Sequence, residues 1–467
     1  MLVRLSAGTL VRLSAGTFVR LSARPLVRLS ARPLVRLSAR TLVRLSALIL
    51  VACGPSDAGT VLTVSNWAGW QEQRLEEAYI GRFGAARPGV RVSLESVSNQ
   101  AEYRDRILTS IAAGTPPDVF LLDNIDVPAF VESGTLLDLA PYAARVGVPL
   151  DGFDPEVLAI FRRGSAVYAF PKGFTPMVLA YNKEVFDRLH VPYPPEEWTW
   201  EAFRAAAKAL TRDVDGDGAR DVYGFWLDRR PFVWMGSLWA LGGDVLCPDG
   251  TRASGCLDSP NSIWAFRALT GLATRDSVVP RYFGLRRSMG DHLRNFYAGR
   301  LAMIPVGHFW MPQFRHYLEQ GRVRVGFTQL PHREGFPPAT VLYASGFAVA
   351  RNAHHKRLSV ELAAYMADSL AQVTRAAGGL EIPALSRVAD QVVRADTSGM
   401  EGVFRRAVRT GRMPWGARIG KWREVEAILP DIIDRLVMNG EDVEAVLHDV
   451  ARQLDGALAL RAGQRLR

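Results

Sequence analysis

Two groupings in the sequence have residue types and spacing that could do chemistry. In DVDGDGARD, Asp213, Asp215, Asp217, Gly218 and Asp221 fall at positions 1, 3, 5, 6 and 9 of an EF-hand-like calcium loop. Position 12 is Gly224, where such a loop carries a bidentate glutamate, so calcium is set against a tight acidic turn as the alternative. The second grouping is aromatic: the chain has eleven tryptophans. Sugar rings pack their flat C–H faces on aromatic faces, while their hydroxyls are held by short polar side chains and backbone groups. Rings placed beside Asp, Ser or Thr would therefore suit a saccharide.

Those rings need elements to position them. VLTVSNW reads as a strand, EQRLEEAYIGRF is apolar at helical spacing, and GVRVSLESV is strand-like again. EYRDRILTSIAAG then reads as a helix stopped by Gly114, and DVFLLD as a short buried strand. Strand, helix, strand, helix, strand predicts a parallel α/β sheet, whose ligands sit at the carboxyl ends of strands. Those ends are Asn66-Trp67, Val97 to Gln100 and Asp123. Trp67 and Trp70 either line a cleft there or pack under the next helix, and Asp123 either accepts from ligand hydroxyls or caps the following turn. Further helices are expected from Thr199 as N-cap of EAFRAAAKAL, at 261–273, at 354–369 and as a C-terminal pair.

Residues 45–53 pose a separate question. The first 52 residues are tandem octapeptides of the LVRLSAGT type and hold nine arginines with no acid, which leaves 48 basic against 47 acidic residues beyond them. The formal charge of +10 therefore lies almost wholly upstream and gives no ground for a nucleic-acid partner. Leu45 to Val51 is too short to span a bilayer but fits a secretory h-region, and Leu50-Val51-Ala52-Cys53 resembles the bacterial lipobox, in which the cysteine is acylated. Residues 1–52 are read as a removed signal peptide and 53–59 as a lipidated tether. Cys247 and Cys256 remain, in CPDGTRASGC, where a Pro-Asp-Gly turn can bring them within bridging distance; in an oxidising compartment a disulfide is expected.

Several blocks resemble one family, the maltose-binding-protein-like extracellular solute-binding proteins of bacterial sugar-type ABC importers. They are IAAGTPPDVFLLD (111–123), ESGTLLDL (132–139), AVYAFPKGFTPMVLAYNKEVFDRL (166–189), WTWEAFRAAAKALT (198–211), FYAGRLAMIPVGHFW (296–310), ASGFAVARNAHHKRLSVELAAYMADSL (344–370) and GLEIPAL (379–385). Their order spans the chain beyond the tether. The resemblance implies the α/β two-lobed periplasmic-binding-protein-like fold (type II), with an interlobe ligand cleft and crossing hinge strands near Phe174 and Tyr343. Lobe one would be 60–173 with 344–378, and lobe two 174–343 with 379–467. Hinge closure around solute is the expected mechanism.

The resemblance also implies site residues. Phe174 and Thr175 lie in a crossing segment that contacts ligand, although the family often has an acid at the Thr175 position. Arg229, Phe232, Trp234, Trp239 and Gly243 occupy a segment where the family has an acid, aromatic rings and a Gly-Gly turn; an arginine in place of the acid admits a phosphorylated or acidic sugar. Of Phe309 and Trp310, Trp310 is the expected aromatic platform. Ser345 and Gly346 lie at a crossing, and Arg418 and Trp422 in a ligand-contacting stretch; Trp198, Trp200 and Trp264 read as core.

The function expected is that of a non-catalytic, lipid-anchored, monomeric protein facing the periplasm or cell exterior. It would hand a sugar, oligosaccharide or sugar or glycerol phosphate to ABC permease subunits, with no cofactor beyond the calcium already weighed. A secreted carbohydrate-active enzyme, with Asp123 and Asp244 as its carboxylates, and a solute-binding partner of a membrane receptor are the alternatives.

Overall fold

The computed structural model describes residues 59–280 and 291–459. Cys53 and the octapeptides lie outside the described residues, and no described helix is long and apolar enough to cross a membrane.

Lobe one begins with β1 (Thr60–Asn66), α1 (Trp70–Ala85), β2 (Val90–Ser96), α2 (Gln100–Ala112) and β3 (Val119–Asp123). β1 lies between β2 and β3, parallel to both, as right-handed strand–helix–strand units require. The apolar run VFLL of β3 is buried on both faces, the mark of a strand covered by helices on each side.

The chain then enters β4 (Phe170–Asn182), a strand of 13 residues. The other half of the molecule follows with α3 (Trp200–Ala209), β5 (Tyr223–Phe225), α4 (Pro231–Ala240), α5 (Pro260–Thr274) and α6 (Asp291–Tyr297). Next come β6 (Leu301–Gly307), β7 (Val325–Thr328) and β8 (Thr340–Ala348). Thr199 caps α3 as expected, its Oγ1 accepting from Ala202 N at 3.2 Å, and Ser259 with Pro260 opens α5 in the same way.

The sheet runs β2-β1-β3-β8-β4-β6-β5, with β7 also on β4. Two strands are shared between the halves. The Gly173 end of β4 pairs antiparallel with Ser345 of β8, while its Met177–Tyr181 stretch pairs with β6. β8 in turn reaches β3 through Ser345↔Asp123 and Gly346↔Leu122. Gly346 is required by packing: a Cβ there would stand 2.9 Å from Ala169 Cβ and 3.0 Å from Phe170 O.

After β8 come α7 (Lys356–Met366), α8 (Ser369–Ala377), β9 (Ile382–Pro383), α9 (Trp422–Ile428) and α10 (Val443–Ala459). β9 pairs with Phe174 and Gly173, so three chain passes meet at this crossing. A buried ionic set braces it: Lys172 with Glu72 at 2.8 Å and with Glu381, and Arg375 with Glu76 at 2.5 and 2.9 Å.

Cys247 and Cys256 form the expected disulfide, with Cα atoms 5.3 Å apart. They sit in an irregular loop between α4 and α5.

Candidate functional site

Nearly every residue of the three central strands β3, β8 and β4 is buried. The exceptions are Asp123 on β3, Thr175 on β4, and Tyr343 and Ser345 on β8. The ladder sets Ser345 opposite Asp123 and Tyr343 opposite Thr175. Side chains alternate between faces, so Tyr343 and Ser345 share one, and the four residues form a single half-exposed patch where the strands cross.

Two rings adjoin it. Helix α4 is buried throughout except for Phe232, and the run from Leu301 to Met311 is buried except for Phe309. The Tyr343 ring lies 4.9 Å from that of Phe232, and its hydroxyl donates to Phe232 O at 2.9 Å. Phe309 follows at 5.7 Å from Phe232. These separations are those of favourable aromatic pairs and give a continuous apolar wall.

On the lobe-one side Trp67 packs edge-on against Tyr103, centroids 5.1 Å apart, and the Tyr103 hydroxyl donates to Leu121 O at 2.8 Å and Ser65 O at 3.0 Å. Trp67, Gln100, Tyr103, Arg104, Asp123 and Asp126 line a narrow pocket at the strand ends. Asp123 both caps the next turn, accepting from Ile125 N at 3.2 Å, and stands half-exposed at the end of β3, hydrogen-bonded by Gln100. The two readings of Asp123 are thus compatible.

The patch is acidic. Asp126 accepts from Arg104 Nε at 2.7 Å and from Arg423 Nη2 at 3.1 Å, and Arg423 reaches Glu426 at 3.4 Å. Burial, aided by the charge of Asp126, pushes Asp123 up to about 7. Burial first and then Asp126 likewise raise Glu426, and burial with the charges of Glu426 and Asp123 raises Tyr343. Carboxylates, hydroxyls and aromatic rings in this arrangement can take ligand hydroxyls and pack on a sugar face.

Several predicted residues lie elsewhere. Phe174, Trp234, Trp239, Trp310 and Trp422 are all buried in the core, along with Trp198 and Trp200. Of the ring pair after Gly307, Phe309 faces the patch and Trp310 turns inward, because the chain enters a tight helical turn at His308. Gly243 is packed, since a Cβ there would meet Leu238 Cδ1 at 2.6 Å. Arg418 is exposed, lies over Trp415 at 3.8 Å and donates to Pro248 O at 2.7 Å, so it holds the disulfide loop. Trp70 opens α1, but its side chain lies outside the described residues.

The arginines require a correction. Arg229 Nη2 pairs with Asp434 at 2.6 Å, and Arg230 makes bonds of 2.9 Å to both oxygens of buried Asp228. Both are thus ion-paired, while Arg229 Nε has no hydrogen-bond partner among the described residues. In the acidic loop, Asp213, Asp215 and Asp221 bring carboxylate oxygens within 4.8 Å of one another, yet they accept from backbone N–H groups of their own turn, such as Gly216 N and Gly218 N on Asp213 at 2.7 and 2.8 Å.

Sequence reasoning missed Tyr343, Arg423 and Glu426 as site residues. For Tyr343 a signal existed: it is the aromatic residue two before Ser345 on the crossing strand, hence on the same face.

The fold is that of the two-lobed α/β periplasmic binding proteins of type II. The chain belongs to the family of bacterial extracellular solute-binding proteins, which matches over residues 68–373. A putative binding protein of Brucella abortus is 23% identical over 430 residues, covering 88% of this chain and 96% of the relative. Among solved structures, an ABC substrate-binding protein of Listeria monocytogenes in complex with cycloalternan superposes with a TM-score of 0.74 at 20% identity, covering 86% of this chain and 100% of that one. UgpB of Mycobacterium tuberculosis in complex with glycerophosphocholine gives 0.73 at 19% identity, covering 84% and 98%. Members of the family are binding proteins.

Proposed function

We propose that the protein captures an uncharged carbohydrate in the cleft between lobes 60–173 with 344–378 and 174–343 with 379–467, and delivers it to an ABC permease without chemical change. The observation that carries this is the half-exposed set Asp123, Thr175, Tyr343 and Ser345, walled by Phe232 and Phe309 in otherwise buried elements. Acceptors and hydroxyls beside aromatic faces suit a polyhydroxylated ring. The pairing of Arg229 and Arg230 with carboxylates favours an uncharged solute over a phosphorylated one. The cycloalternan bound by the Listeria protein supports the same class, whereas the glycerophosphocholine of UgpB shows that this fold also accepts phosphodiesters.

Transport fits the site better than hydrolysis, because Asp244 is engaged by Trp415 Nε1 at 2.6 Å and by Val245 N at 2.7 Å. The anchor belongs to the same reading: export, cleavage before Cys53 and acylation there would hold the protein beside its permease.

Thermal unfolding against a panel of neutral saccharides and sugar phosphates tests this. At a hundred times Kd a ligand adds about 2.7 kcal/mol, so at least one neutral saccharide should raise the melting temperature by several degrees. A panel that shifts nothing, or only under sugar phosphates, contradicts the assignment.

A further inference from the structure

β5 and β6 are parallel, so their carboxyl ends point the same way, and ligands of such sheets gather at those ends. Trp226 directly follows β5, and Phe309 and Trp310 follow β6. His292, in the first turn of α6, fills the space between. Its ring stacks on Trp226 with centroids 4.1 Å apart and planes 9° from parallel, and meets Trp310 edge-on at 4.8 Å. Trp310 in turn lies 4.7 Å from Phe309, so a chain of rings leads from Tyr343 at the crossing to Trp226.

The inner end of this chain is polar and unsatisfied. His292 is 2% exposed and Trp226 4%, yet His292 Nδ1 and Nε2 and Trp226 Nε1 have no hydrogen-bond partner among the described residues. Buried polar atoms are nearly always paired, so three orphans on two touching rings leave hydrogen-bonding capacity unused at this spot. Burial, with a lesser push from Arg230, lowers His292 to about 3, so its ring is neutral, with one nitrogen donating and the other accepting. Arg230 itself is held by Asp228.

We propose that Trp226 and His292 form an inner subsite of the cleft that grips a hydroxyl of the uncharged solute and so sets specificity. This rests on the carbohydrate reading above and adds the residues that choose among sugars. One hydroxyl can accept from Trp226 Nε1–H while donating to the bare imidazole nitrogen, and a neighbouring oxygen can accept from the imidazole N–H. A solute lacking that hydroxyl leaves the buried atoms unpaired, which is the strongest form of discrimination a neutral site can achieve.

The test uses His292→Phe, which keeps the stacked ring and removes both nitrogens, with Trp226→Phe as the second variant. Calorimetry on the purified protein would measure the best-binding neutral saccharide and its single-deoxy analogues. The expected result is at least a tenfold loss of affinity in each variant. Wild type should reject one deoxy analogue that His292→Phe no longer distinguishes, while the melting temperature of His292→Phe equals or exceeds that of wild type. If both variants bind and discriminate as wild type does, the rings are structural and the subsite is refuted while the carbohydrate reading stands. If wild type binds no saccharide at all, the carbohydrate reading fails and the subsite with it.

Discussion

Replacing Asp123 by Asn should change how stability depends on pH. The carboxyl is pushed from its ordinary 3.8 up to about 7, chiefly by burial. Between about pH 4 and 7 the folded chain then holds a proton that the unfolded chain has released, so stability falls as pH rises and the loss is complete above 7. At 1.36 kcal/mol for each tenfold change, a fully enclosed carboxyl would cost about 4 kcal/mol at pH 8. Asp123 is half-exposed at the strand end, and solvent screening cuts this to roughly 1–2 kcal/mol. Asn mimics the protonated form and can still accept from Ile125 N. Urea unfolding should therefore find Asp123→Asn more stable than wild type by about 1–2 kcal/mol at pH 8 and nearly equal at about pH 3, below the ordinary carboxyl value of 3.8. A variant less stable than wild type at pH 8, or one whose gain is as large at about pH 3, would refute the account of this carboxyl. Some slope should persist in the variant because Glu426 is also raised.

Three further outcomes are expected. Phe232→Ala removes the ring between Tyr343 and Phe309 and should weaken saccharide binding about tenfold by calorimetry, a loss on the order of 1–1.5 kcal/mol. Changing both Cys247 and Cys256 to Ser opens a short loop and should lower unfolding free energy by about 3 kcal/mol, read by denaturant titration, with affinity unchanged. Cys53→Ser should move the protein from the membrane fraction to the soluble exported fraction on cell fractionation, again without altering affinity.

Much of the architecture was legible because its signals are local. Apolar period and turn residues gave the order of β1, α1, β2, α2 and β3, and the strand-end rule then pointed to Asp123. The pair of rings after β6 was visible in the sequence, with Trp310 expected to face outward; it is Phe309 that does, because of the turn begun at His308, which follows from tertiary packing. Trp234 and Trp239 misled for a related reason: α4 is apolar on all sides and buried, so ring type alone says nothing about the cleft. Arg229 read as a free cation because its partner, Asp434, lies far along the chain. The meeting of Trp226 with His292 has no sequence signature, since no motif joins the end of a short strand to the start of a later helix. The crossing register, by contrast, made sense of residues already in view: once Ser345 is set opposite Asp123, Tyr343 and Thr175 must sit beside them.

The central claim is that an uncharged carbohydrate binds at the strand crossing. A crystal structure of the protein grown with whichever neutral saccharide raises its melting temperature most tests it directly. The account predicts one saccharide between the lobes, with a ring against Tyr343 or Phe232 and a hydroxyl within hydrogen-bond distance of Asp123. A saccharide bound elsewhere on the surface, with these residues untouched, would contradict it.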